Sequence, residues 1–412
     1  MTTIDPKMQI PQPQPLGRET LALDAGLVID PRTRAIQPNI SMSVNNMVTP
    51  GEGAFSADGV EDLTALPYMY ARWTNPTVIE LEQRVAALEE AEQAMCTASG
   101  VGAISATFLG LLKAGDHLII SDVCYAGAAE LARGVLPDFG IEVSQVNLSD
   151  PDALAAAMRP NTKLVHCESP CNPLLRFTDL ARISEIAHRG GALVSVDSTL
   201  ATPVACRPLN FGCDLVIHSL TKFINGHGDA MGGAVAGSQS LIAKIRARSG
   251  VYLGSTLSAM NAWLILRGID TLYPRMKTMS DSASQIARFL EDHPRVKRVL
   301  HPSLDSHPQV DLIARQMDLP GALISFETND LAATEQRFAD RLKVIHYAFS
   351  VGHQRSLLTL LDTDVMMKST YKLQGEQLAD YRAYAGDGLF RLSVGLETVD
   401  DLIRDLDQAL RD

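Results

Sequence analysis

Short apolar runs alternate with stretches of helical period through the middle of the chain, and that alternation predicts the fold. Runs at 118–120, 141–146, 163–167, 192–196, 215–217 and 232–236 have the length of strands. Between and after them, 152–158, 177–188 and 241–248 read as helices. Upstream, Asn75-Pro76 is a helix start: a side-chain acceptor at the cap, proline in the first turn, then Val78, Leu81, Val85 and Leu88 along one face. Strands separated by helices predict an α/β protein with a mostly parallel sheet sandwiched by helices. Ligands of such sheets bind outside the carboxyl ends of the strands. Residues 256–272 predict a long helix leading into a smaller α+β domain, with a helix at 283–290 and a strand at 323–326. Residues 1–65 are rich in Pro, Gly, Asn and Ser and have little helical periodicity. A segment that long without regular structure is expected to pack on a neighbouring subunit. The expected division is an arm over 1–65, a large domain over 66–265 and a C-terminal domain over 266–412.

Composition narrows the class. With 412 residues, 46% of them apolar and 20% charged, the chain has material for a sizeable core. Its net charge of -12 and lack of a basic run argue against nucleic acid as a partner. The N-terminus lacks the basic-then-apolar pattern of a signal peptide, and no apolar run approaches the ~20 residues that span a bilayer. A soluble cytoplasmic protein is expected. Cys96, Cys124, Cys167, Cys171, Cys206 and Cys213 form no Cys-x-x-Cys pair and read as buried thiols, and the histidines lack zinc-site spacing, so no metal is expected.

Candidate chemistry collects where strands end. The run Leu215–Ile217 leads to His218, Ser219, Thr221 and Lys222 before breaking at Gly226 and Gly228. Burial lowers a lysine pKa from ~10.4 towards neutrality, and a neutral amine attacks carbonyls. The hydroxyls of Ser219 and Thr221 and nearby backbone N–H groups suit a phosphate, and together the parts suit pyridoxal phosphate (PLP). Asp197 closes another strand, where a carboxylate is costly unless paired; capping the next turn is the plainer role. Arg391 sits inside an apolar run and needs an anion, either an internal glutamate or the carboxylate of an amino-acid substrate. Thr97-Ala-Ser-Gly-Val-Gly-Ala103 is either a plain strand-to-helix turn or a helix start offering free N–H groups to an anion.

Several of these segments resemble the cysteine/methionine-metabolism (trans-sulfuration) family of PLP enzymes. Matching stretches are Tyr70-x-Arg72-x-x-Asn75-Pro76-Thr77, Ser99-Gly100-Val101-Gly102, Glu168-x-Pro170-x-Asn172-Pro173, Asp197-x-Thr199 with Thr202-Pro203, Ser219-x-Thr221-Lys222-Phe223, Gly226-His227-Gly228-Asp229, and Arg391 to Glu397. Leu220 departs, since that place is usually small. The resemblance implies PLP fold-type I, with a seven-stranded sheet. It implies that Lys222 carries the cofactor and moves protons, that Asp197 keeps the ring nitrogen charged, and that Tyr125 stacks on the ring and acts as acid or base. The phosphate would be held by Gly100, Val101, Ser219 and Thr221, joined by Tyr70 and Arg72 from across a subunit interface. Asn172 would lie near the phenolic oxygen. Arg391 would bind the substrate carboxylate, with Asn172, Ser350 and Phe349 around the substrate. A homotetramer built of dimers with shared sites is implied as well.

The expected activity is γ-elimination on a γ-substituted, homoserine-type L-amino acid. Alternatives are γ-replacement, as in a cystathionine γ-synthase or a sulfhydrylase, β-elimination, or a catalytically silent relative. Where methionine γ-lyases carry a cysteine after the stacking tyrosine, this chain has Gly127, and Gly250 and Val251 stand in place of their Lys-Asp pair. Phe349 precedes Ser350 where cystathionine-handling relatives carry a glutamate. His353 and Lys368 also replace residues common in the family. A pocket that is roomy near Tyr125 and apolar near Phe349 suits a bulky γ-substituent, of which canavanine is one candidate; arm acids such as Glu52 or Asp58 would meet its guanidinium.

Overall fold

The structure, a computed structural model, describes residues 16–57 and 59–411. The first fifteen residues of the expected arm and Asp58 lie outside the described residues. Seven strands form the central sheet: β1 (Gln93–Thr97), β2 (His117–Ser121), β3 (Glu142–Val146), β4 (Thr162–Glu168), β5 (Leu193–Asp197), β6 (Leu215–His218) and β7 (Gly233–Gly237), in the order β1-β7-β6-β5-β4-β2-β3. The β3–β2, β2–β4, β4–β5 and β5–β6 pairs are parallel, and β7 runs against both its neighbours. β2, β6 and β7 are buried along their whole length, as in a sheet covered on both faces.

The expected strands lie within a residue or so of those observed. The helix ends differ more, for local reasons. The helix expected at 177–188 is Leu180–Arg189, because Asp179 caps it by accepting from Arg182 N. The helix expected at 256–272 is shorter, Ala259–Ile269, and the one expected at 283–290 is the end of a longer helix, Leu272–Glu291. Pro274 has no N–H to offer the carbonyl of Asp270, so one helix cannot run through. Residue 265, the expected domain boundary, falls inside the first of the two. The 20-residue helix after it leads into the second domain, and Ala283, Ile286, Ala287 and Leu290 on it join that domain's core.

That domain carries a five-stranded sheet of β8 (Val296–Leu300), β9 (Leu323–Thr328), β10 (His346–Tyr347), β11 (Leu357–Asp362) and β12 (Gly388–Ser393), ordered β10-β11-β12-β9-β8. All pairs but β10–β11 are antiparallel. Phe326, Phe338 and Phe390 pack ring on ring at its centre. No described helix is long and apolar enough to cross a membrane.

Candidate active site

The carboxyl ends of β4 and β5 bring Glu168 and Asp197 to one cavity, where Ser219, the residue after β6, joins them. β4 and β5 end in register, so Glu168 and Asp197 are direct partners across the sheet. Both are buried. Glu168 accepts the backbone N–H of Tyr125 through one oxygen and that of Asn172, at 2.9 Å, through the other. It thereby ties the loops after β2 and β4 together. Burial, and then the neighbouring Asp197, raise its pKa well above the usual carboxylate range. Burial also raises Asp197. Asp197 Oδ1 accepts from Thr199 N at 3.0 Å and from Thr199 Oγ1 at 2.5 Å, and that hydroxyl oxygen accepts from Ser219 N at 2.8 Å. The turn after β6 is thus bonded to the end of β5.

Lys222 lies in this turn. Its Nζ donates to Ser350 Oγ at 2.9 Å. Burial, and then the positive Arg391, lower its pKa from the ordinary 10.5. The backbone just beyond it is held by a residue that sequence reasoning passed over. Arg275, buried on the helix Leu272–Glu291, donates to Phe223 O at 2.7 Å and Ile224 O at 3.0 Å. Its signal was an arginine spaced with Leu272, Met276 and Met279 on an apolar face.

The second domain closes the cavity. Arg391 is on β12; Nη1 donates to Asn172 Oδ1 at 2.9 Å and Nη2 to Ser350 O at 3.2 Å, while its buried Nε has no partner. Burial lowers its pKa to about 10. Tyr371, a second residue not foreseen, donates from its buried hydroxyl to Cys124 O at 2.9 Å and to Asn172 O at 3.1 Å, bracing both cavity loops.

On the opposite wall the helix Gly100–Leu111 begins. Ser99 Oγ accepts from Gly102 N at 3.1 Å, leaving the amides of Gly100 and Val101 without intrahelical partners. The helix start abuts Ser219: a Cβ on Gly100 would come within 2.8 Å of Ser219 Cβ. Thr221 also lines the cavity, but its hydroxyl exchanges two bonds of 3.1 Å with the backbone of Gly232.

The cavity holds about 320 Å³ and is lined by Gly100, Val101, Tyr125, Asn172, Asp197, Ser219, Thr221, Lys222, Ser350 and Arg391, among others. The remaining sequence candidates are elsewhere. Tyr70 and Arg72 do not line it; Arg72 donates to Val251 O at 2.9 Å and lies over the Tyr70 ring, 5.4 Å from its centroid. Phe349 is 77% exposed and also stands outside.

These parts fit PLP. A buried carboxylate bonded only within its own turn needs a cation, which a charged ring nitrogen supplies. Free amides at a helix start beside a serine suit a phosphate, and a lysine amine with lowered pKa suits an aldehyde. The family model for Cys/Met metabolism PLP-dependent enzymes matches residues 19–411.

The chain belongs to that family. It is a PLP-dependent lyase of the trans-sulfuration type, with PLP as cofactor. Within the Cys/Met metabolism family it is similar to a canavanine γ-lyase of Pseudomonas canavaninivorans, 39% identical over 402 residues that cover 96% of each chain. It is also similar to an O-succinylhomoserine sulfhydrylase of Pseudomonas aeruginosa, 41% identical over 346 residues and 83% of each. Among solved structures, cystathionine γ-lyase from Lactobacillus plantarum complexed with L-serine superposes with a TM-score of 0.85 at 32% identity, over 96% of this chain and 98% of that one.

Proposed function

We propose that this enzyme carries out γ-elimination on a homoserine-type L-amino acid with a large γ-substituent, canavanine being the first candidate. The observation that carries the reading is the set around Arg391: a guanidinium with an unpartnered Nε in the same cavity as Lys222 and Tyr125. The similarity to a canavanine γ-lyase over 96% of each chain supports this substrate class.

When bound, the cofactor supplies an aldehyde for amine attachment and a ring that stores the electrons released at Cα. Lys222 and Asp197 serve as its attachment point and the counter-charge of its ring nitrogen. Gly100, Val101 and Ser219 would hold its phosphate, and Thr221 would join them by turning its hydroxyl proton from Gly232 O to a phosphate oxygen. Arg391 grips the α-carboxylate with two parallel hydrogen bonds, held at the correct angle by Asn172 and the carbonyl of Ser350. Lys222, whose amine burial and Arg391 shift towards its neutral, proton-accepting form, moves protons at Cα and Cβ. Tyr125, 42% exposed at the cavity mouth, gives a proton to the heteroatom leaving Cγ.

The working unit we propose is a dimer in which Tyr70 and Arg72 complete the phosphate site of the neighbouring copy, two such dimers making a tetramer. What supports it is the outward-facing apolar side chains of the arm, Met47 and Phe55 being almost wholly exposed, together with the 77% exposed Phe349 of the second domain. A copy seated there would also turn Phe349 towards a substrate. Six unpaired buried thiols suit a cytoplasmic setting.

γ-Replacement is the second reading, on the similarity to an O-succinylhomoserine sulfhydrylase. The test offers canavanine, methionine, cystathionine and O-acylhomoserines, with and without a thiol, and identifies the products. 2-Oxobutanoate and ammonia from canavanine bear out the proposal. A thioether product, with no 2-oxobutanoate from any substrate, sinks it.

A further inference from the structure

We propose that His353 is a positioning residue for Lys222, acting through the Ser350 hydroxyl. Lys222 Nζ donates to Ser350 Oγ at 2.9 Å. That contact uses the oxygen as acceptor, so the hydroxyl proton has to point elsewhere. His353 Nε2 lies 3.4 Å from the same oxygen, and among the described residues no other group bonds it. A neutral imidazole with Nε2 unprotonated accepts the proton and aims the oxygen lone pairs at the lysine amine. The Ser350 backbone is fixed as well. Its φ of 94° is a costly conformation for a residue with a side chain, and its carbonyl accepts from Arg391 Nη2 at 3.2 Å.

The turn that follows Lys222 makes room for the ring. A Cβ on Gly228 would come within 2.7 Å of His353 Nδ1 and 2.8 Å of Cε1, so the imidazole packs against backbone that any larger residue would fill. Cations and carboxylates both lie near this Lys–Ser–His line; Glu168 and Asp197 share the cavity but bond to the loop backbone and to Thr199. Lys222 and Arg391 face it from the turn and from β12. On the turn itself, Asp229 is occupied by Asn225 Nδ2 at 2.9 Å, and His227 Nδ1 donates to Asn225 O at 2.6 Å. No carboxylate bonds or ion-pairs with His353 among the described residues. Burial, and then Lys222, hold the His353 pKa below its ordinary 6.5, so the acceptor nitrogen is available at neutral pH. Acidification through that pKa removes the acceptor and adds a positive charge beside Lys222. His353 is one of the chain's departures from the family pattern, and this contact gives it a role. The inference rests on Lys222 as the amine that carries protons.

The experiment compares the parent, His353→Ala, His353→Gln, Ser350→Ala and the His353→Ala/Ser350→Ala double variant, all loaded with PLP. Two readouts are followed against pH: kcat on the best substrate, and the cofactor's visible absorbance without substrate, whose midpoint reports the Lys222 nitrogen. The loss of one aligning hydrogen bond predicts a kcat about 3- to 10-fold lower in His353→Ala. The inflection below pH 6.5 should vanish, and the absorbance midpoint should fall by at least about 0.3 unit. Gln, with an amide oxygen in place of Nε2, should restore most of kcat but not the inflection, and it carries the test if the Ala variant does not fold. In the Ser350→Ala background, His353→Ala should change nothing further. An equal loss in that background, or an unmoved midpoint with the inflection retained, overturns the proposal. Failure of the Lys222 assignment is separable, since Lys222→Ala would then keep the visible absorbance.

Discussion

Replacing Arg391 by lysine isolates the carboxylate grip from the charge. The guanidinium spends one N–H on Asn172 Oδ1 and one on Ser350 O, which fixes its plane; Nε and the remaining Nη hydrogens are left for a ligand. Lysine keeps the positive charge but has no fork. At least one of two charge-assisted bonds to the substrate carboxylate is then lost. Such a bond contributes about 1.5–3 kcal/mol, and about 1.4 kcal/mol is a factor of ten. Arg391→Lys should therefore lower kcat/KM roughly 10- to 150-fold. The carboxylate does not change along the reaction, so most of the loss should appear in KM. The assay is 2-oxoacid release at varied substrate, with the cofactor's visible absorbance as a check that the site stays loaded. The comparison that decides is the substrate's carboxamide. The parent should discriminate against it strongly, and Arg391→Lys should discriminate far less, because the group that reads the second oxygen is gone. A variant whose KM stays within twofold of the parent, or that still prefers the acid to the amide as strongly, refutes the assignment of Arg391.

Asp197→Asn gives a stability test with a definite sign. Burial raises the Asp197 pKa in the cofactor-free protein, so the unfolded chain loses this proton at lower pH than the folded one. Folded-state stability is then full below the unfolded pKa and falls as pH rises through the raised value. Cofactor-free Asp197→Asn should melt above the cofactor-free parent at about pH 7, with the gap closing towards about pH 4, and the loaded variant should release PLP faster on dialysis; a lower melting temperature at pH 7 would contradict the argument. Gly127→Ala probes the roomy side of the cavity. A Cβ there comes within 2.7 Å of Tyr125 Cε1 and 3.2 Å of Val101 Cγ2, so Tyr125 must move, and kcat is expected to drop by about tenfold; unchanged kinetics on every substrate would mean the tyrosine's present pose is irrelevant. Mixing inactive Arg72→Ala with inactive Lys222→Ala, after subunit exchange, should restore part of the activity, because each hybrid dimer holds one site with both residues native. No recovery in verified hybrids counts against a shared site.

Much of the large domain was legible because its signals are local. Apolar runs of strand length are bounded by Gly, Pro and capping residues, and each side chain that ends such a run has one place to go, beyond the carboxyl edge of a parallel sheet. Lys222, Asp197 and Tyr125 could therefore be assigned to one cavity from their positions in the chain. The second sheet was far less legible. β10 has two residues and β11 pairs across long separations, so period and length carried little signal there. Helix ends such as the break between Ile269 and Leu272, set by Pro274, turned on single residues.

By itself the sequence determined the alternation of elements, the strand-end chemistry and the motifs that mark a PLP enzyme, since each depends on neighbours within a few positions. Contacts between distant segments belong to the tertiary structure alone. It decided that Glu168 and Asp197 stand side by side, that Arg275 clamps the turn after Lys222, and that Ser350 and His353 come to the lysine from more than a hundred residues away. It also decided that Tyr70, Arg72 and Phe349 stay outside the cavity of their own chain. No local pattern encodes such meetings, because they follow from how two packed domains close on one another.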